Sequence, residues 1–212
     1  MRSSSSGLMA IVLAASLFGA GCILIPEVKD RIVELAVSGS TSATFHASGP
    51  ETDPLNEVQV VSIGEGTDLD VKKLLEDAGI DASDVVDVKV TSVEYAITAA
   101  DPLAGRTVQG NLSVQGPSGP EQPLIAGFTI GVGAVTPYRG AALKSAGVGV
   151  INQALASMLS QLKAGGTPTE SVTFRVTGAN TPNNDPNVQI AFGYAVKLTL
   201  SMVGTVKVSV PN

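Results

Sequence analysis

The sequence predicts a mainly β protein, an antiparallel β-sandwich of about eight strands with two inserted helices. Three observations carry that prediction. The first is the stretch Val188–Val210. Every second residue from Val188 is apolar or glycine, through Ile190, Phe192, Tyr194, Val196, Leu198, Leu200 and Met202, and the interleaved positions are mostly small or polar. Successive strand side chains point to opposite faces, so the pattern describes one long amphipathic strand. The second is composition: charged residues make up only 15% of the 212, glycine occurs 23 times, and Val, Ala, Ser and Thr abound, which suits sheet better than helical bundle. The third is order. There is no βαβ alternation and no internal repeat, and half-apolar strands bury themselves most economically as two facing layers.

In chain order, Arg31–Ser38 and Thr41–Ala47 alternate as two strands, and Ser38-Gly39-Ser40 between them predicts a hairpin. Gly49-Pro50 to Pro54 is a loop and Glu57–Ile63 a strand. A helix of about three turns follows, capped by Asp68 or Asp70, with Val71, Leu74, Leu75 and Ala78 on one face and Gly79 at its end. Asp81–Asp84 is an acidic turn. In Val86–Thr98 the apolar set changes face near Ser92, the mark of a bulge. Arg106–Gln115 is a strand ended by Gly116-Pro117-Ser118-Gly119-Pro120, and the apolar run Gln122–Val132 reads as a buried strand. Val148, Ile151, Leu155, Met158 and Leu162, widened by Leu159, form a helical stripe that Gly165-Gly166 ends. Glu170–Gly178 is a strand, 180–187 an asparagine-rich loop, and the final strand is long enough to predict a bend near Gly204.

The N-terminus has a separate logic. Arg2 in a short polar start, an apolar stretch Leu8–Phe18 and small residues before Cys22 make a secretory signal. Ala20-Gly21-Cys22 resembles the lipobox of bacterial lipoproteins, although Gly19 stands where that motif usually has leucine. The resemblance covers the first tenth of the chain. It implies a signal peptide at 1–21 and Cys22 as the site of lipid attachment carrying acyl chains such as palmitate; the strand pattern then leaves a tether at 22–30 and one β-sandwich domain at 31–212. It also implies a cell-envelope location, and Ile23 after the cysteine implies the outer membrane in a Gram-negative host. Cys22 is the sole cysteine, so an intramolecular disulfide is excluded.

Reactive chemistry is sparse. His46 is the only histidine, with no carboxylate or cysteine at ligand spacing, and it reads as a surface residue of a strand. The oxygen-rich loop around Asn183 and Asp185 is the nearest approach to a metal site, but it holds one carboxylate and two prolines and reads as a rigid turn. The acidic region from Asp68 to Asp87 reads as helix caps and a solvated face. Gly131-Val132-Gly133 and Gly147-Val148-Gly149 lack the rest of a phosphate loop. A net charge of −6 without a basic run argues against nucleic acid. The expectation is a non-catalytic protein without cofactors, held at the membrane by its N-terminal lipid. It would serve as a structural or protein-interaction module that pairs with envelope proteins or with itself. The alternative is a binding protein for an apolar small molecule or lipid held between the sheet and the Val148–Leu162 helix.

Overall fold

The computed structural model describes the backbone of residues 30–209 except 104, and the side chains of residues 34–206 with the same exception. The elements in order are β1 (Asp30–Pro50), β2 (Leu55–Gly64), α1 (Val71–Asp77), β3 (Val85–Ala99), β4 (Thr107–Gln115), β5 (Gln122–Gly131), β6 (Arg139–Gly140), α2 (Ser145–Lys163), β7 (Thr169–Thr181) and β8 (Gln189–Ser209). They build two antiparallel four-stranded sheets, β1-β8-β3-β6 and β2-β7-β4-β5. The sandwich predicted from alternation is therefore present. Cys22 and the proposed signal and tether lie outside the described residues, and none of the described helices is long and apolar enough to cross a membrane.

Two expectations about β1 and β8 are corrected, and for the same reason. Ser38-Gly39-Ser40 is not a turn. β1 runs unbroken for 21 residues and pairs with β8 in one continuous register from Asp30–Ser209 to Pro50–Gln189. Gly39 is needed because Leu74 of α1 packs against its backbone, where a Cβ would collide with Leu74 Cδ1. β8 likewise does not bend at Gly204. A Cβ there would stand 2.6 Å from Ile80 Cγ2, which drops onto the strand from the turn after α1. Both glycines are gaps for an apolar side chain arriving from the α1 region, and a strand glycine of this kind marks close approach rather than chain reversal. The strand count stays at eight because the merged hairpin is offset by β6, two residues long.

Elsewhere the local predictions stand. Asp70 caps α1 by accepting from Lys73 N (2.9 Å), Asp68 instead accepts from Ser62 N (3.0 Å), and Gly79 ends the helix at φ 69°. β3 shifts register between Val90 and Ser92, so Val88 faces the core before the bulge and Val93 and Ile97 after it. The stripe on α2 is core: Ile151, Leu155, Met158 and Leu162 are buried, with Ala154 and Leu159 beside them. The helix wedges the sandwich open side shut. Asn152 Oδ1 accepts from Val90 N (2.9 Å) on one sheet, and Gly147 lies so close to β5 that a Cβ would be 2.7 Å from Leu124 Cα on the other. β5 corrects another expectation. It is an edge strand, with Leu124 and Ile125 buried but Phe128 and Ile130 only half-buried at the rim.

Candidate functional site

β8, the strand the sequence puts forward, is the centre of its sheet and has partners on both sides. The uncovered strand is β1. Glu51 N donates to Val188 O (2.8 Å), and the register has no bulge, so the odd residues of β1 turn their main-chain groups toward β8. The even residues Ser38, Ser40, Ser42, Thr44, His46 and Ser48 turn theirs away, and no partner meets them among the described residues. The same six side chains are exposed on the outer face, while Val37, Ala43, Phe45 and Ala47 are buried. His46 thus takes its predicted place on the surface of a strand. From Val37 to Pro50 there is no Asp, Glu, Lys or Arg. Natural edges are usually blunted by charge, proline or bulge, and beyond Glu34, near its start, this one has none of these before Pro50.

The other edges are treated differently. β5 carries Pro123, its pairing with β4 slips twice, Gly127 takes φ 68°, and Asn111 Oδ1 accepts from Gly127 N (3.0 Å). The end of β2 is covered by the turn at Thr67–Leu69, with Leu69 N donating to Ser62 O and Gly64 N to Leu69 O. β3 is met by β6 and by Asn152.

β1 ends in a buried ionic cluster that sequence reasoning missed. Glu51, Asp101, Arg106 and Asn180 are all buried; Glu51 comes from the β1–β2 connection, Asp101 and Arg106 from the β3–β4 connection, and Asn180 from the end of β7. Glu51 Oε2 accepts from Arg106 Nη2, and its Oε1 accepts from the main-chain N–H groups of Asn184 (3.1 Å) and Asp185 (2.9 Å). Asp101 accepts from Leu103 N (2.8 Å) and Ala191 N (2.9 Å), with Arg106 Nε 3.8 Å away. One guanidinium between two carboxylates leaves a formal negative charge, which these four N–H donors take up. Arg106 Nε and Nη1 have no hydrogen-bond partner. Burial alone would push the Glu51 carboxyl up, but Asp185 N–H, Arg106 and Asn184 N–H together hold it below its ordinary 4.5. The geometry is that of a clamp.

The clamp also locates the two loop residues singled out for metal. Asp185 uses its carboxylate on Asn187 (N at 2.9 Å, Nδ2 at 3.1 Å) and its N–H on Glu51. Asn183 is exposed and brings no carboxylate with it. No group of three metal-ligating side chains assembles among the described residues. Toward Glu51 the loop presents its amides, and the Asp185 oxygens are spent within the loop's own turn. No local signal marks the cluster, because Glu51 and Arg106 lie 55 positions apart.

A cavity of about 40 Å³ lies between the sheets, lined entirely by apolar surface, with Ile97, Leu112, Val176 and Phe192 at its walls and Tyr95 and Phe128 at its rim. Tyr194 lines it too. Its ring stacks on Phe45 at 4.9 Å and 4°, and its hydroxyl is buried without a partner. Burial, and then the Glu57 carboxylate, push this phenol far above its usual range, so it stays neutral. Tyr95 is half-buried, whereas Tyr138 is exposed, with Lys197 Nζ 5.5 Å from its ring centroid.

No protein-family model and no curated protein matches the chain. Among solved structures, it is similar to one of Desmodium yellow mottle tymovirus (11% identity, TM-score 0.34, covering 100% of both chains). It is also similar to one of infectious bursal disease virus Gx strain (10% identity, TM-score 0.34, covering 91% of this chain and 45% of that one). Likeness at this level carries no argument about what the chain does.

Proposed function

We propose that the protein is a non-catalytic module of a bacterial cell envelope, anchored by lipid at Cys22, that acts by pairing its sheet with another protein chain. The observation that supports this reading most is the edge of β1 from Ser38 to Ser48: long, unbulged, uncharged and free of partners among the described residues. Strand addition to such an edge draws affinity from main-chain hydrogen bonds and needs no reactive group. The lipid would keep the domain in a two-dimensional layer, where effective concentrations are high and weak pairing suffices. The test is metabolic labelling with an alkyne fatty acid in wild type and Cys22→Ser, followed by crosslinking of intact envelopes. Label lost with Cys22, together with a crosslinked partner, supports the reading; label retained in the variant, or a chain that crosslinks to nothing, refutes it.

The cavity beside Tyr194 supports a second reading, the binding of a small apolar molecule against its wholly apolar lining. Its 40 Å³ is far short of the roughly 150 Å³ that admits benzene in an engineered cavity, so a lipid would require the sheets to part. Native mass spectra of protein taken from its membrane decide it: a bound apolar species carries the reading, and the bare mass alone sinks it.

A further inference from the structure

We infer that the partner of the β1 edge is a second copy of this chain, paired antiparallel through Ser38–Ser48 about a two-fold axis, so that the two β1-β8-β3 sheets become one. The inference rests on the interaction reading above and names its partner.

Three features of the edge favour a copy of itself. Charge is the first. The chain is acidic overall, with 19 carboxylates against 13 cations, so two copies repel over most of their surface. The stretch Val37–Pro50 is free of that repulsion, and no antiparallel register of it sets like charges opposite one another. Geometry is the second. All the main-chain groups that point outward belong to even residues, so a two-fold centred on Ala43 places Ser42 opposite Thr44, Ser40 opposite His46 and Ser38 opposite Ser48. Every one of these is a hydrogen-bonded pair, and none is left half-made. Side-chain chemistry is the third. The residues brought face to face are hydroxyls and, opposite Ser40, the His46 imidazole, all able to form cross-strand hydrogen bonds, and the inward residues Ala43 and Ala47 are small. The clamp at Glu51 ties the end of the strand to Arg106 and to the 180–187 loop.

The experiment uses the full chain in its own membrane. Ser42→Cys lies close to the two-fold, roughly 7–8 Å from its copy by the diagonal spacing of a sheet, within reach of a short bismaleimide. Ser38→Cys sits five residues from the axis and about 34 Å from its copy, beyond that reach. Thr199→Cys, on the outer face of β8, reports packing through the face. The parent chain, with Cys22 alone, sets the background. The expected result is a dimer band from Ser42→Cys only. A Ser42→Glu, Thr44→Glu double variant, at two exposed positions, should stay folded, with the wild-type far-ultraviolet circular dichroism, while its mass in mild detergent falls from dimer to monomer. Dimers from Ser38→Cys or Thr199→Cys instead of Ser42→Cys overturn the two-fold edge. A Ser42→Cys adduct to a chain of different mass overturns the second copy but leaves the interaction reading standing. A monomer with no adduct at any site overturns both.

Discussion

β1 and β5 are both edge strands, yet they meet solvent in opposite ways. β5 is broken by Pro123, two slips of register and a glycine at positive φ, and Asn111 caps one of the amides it exposes. β1 keeps one register through its whole length, and from Ser38 to Ser48 its outward residues are hydroxyls and one histidine where natural edges usually carry lysine or a kink. The inner faces of both strands are apolar, so burial alone does not explain the difference. It lies in the alternate residues and in the main chain they carry. An edge left in pairing condition over eleven residues, in a chain that blunts the other one, is a feature under a different constraint from the core.

Several measurements would break or sharpen that contrast. The largest effect should come from Arg106→Met. It leaves Glu51 buried without its cation, and removal of one partner from a buried pair costs about 3–5 kcal/mol. Denaturant unfolding should show that loss, and amides near the end of β1 should lose protection first. Gly39→Val is next, because the new side chain meets Leu74 and overpacking typically costs about 1–3 kcal/mol. If Gly39 were a relaxed turn instead, valine would be tolerated and the melt unchanged.

Acid gives a third test. Glu51 is held below 4.5 in the folded state, so its contribution is fully present above the unfolded value and is lost as pH falls through the folded one. Wild type should therefore lose stability below about pH 4.5, and Glu51→Gln, weaker at neutral pH, should show a shallower acid limb. A parallel acid limb in both proteins would remove Glu51 from the account.

Two smaller effects read the strand and the cavity. Amide exchange along β1 in the monomeric Ser42→Glu, Thr44→Glu variant should alternate, slow at Thr41, Ala43, Phe45 and Ala47 and fast at the even residues between them. Uniform protection would mean that something else covers the edge. Tyr194→Phe removes a hydroxyl that is buried and unpaired, so it should leave stability unchanged or raise it by up to about 1 kcal/mol. Because the folded phenol is raised, its stabilising share is whole below the unfolded value of 10.0 and fades as pH climbs past it. The phenylalanine variant should accordingly resist alkaline unfolding better than wild type.

Much of the fold was legible locally. The two-residue period of β8, the face change at Ser92, the Asp70 cap and the α2 stripe are relations between near neighbours, and each survives intact in the structure. The errors share a cause. Gly39, Gly204 and the edge position of β5 were misread because the deciding atoms, in Leu74, Ile80 and the strands beside β5, are remote in sequence. The open edge is hidden from local reading for the same reason. Val188–Val210 has the strongest alternation, but strong alternation on β8 reflects burial between two neighbours, and the exposed main chain belongs to the Ser- and Thr-rich strand next to it.

By itself, then, the sequence determined which residues face the core and which face water, because side-chain direction follows from the period of the strand and helix. Only the tertiary structure decided which strand has a neighbour. A strand's hydrogen bonds run sideways to chain segments its own residues do not encode, and here that lateral choice separates a paired centre, β8, from an open edge, β1.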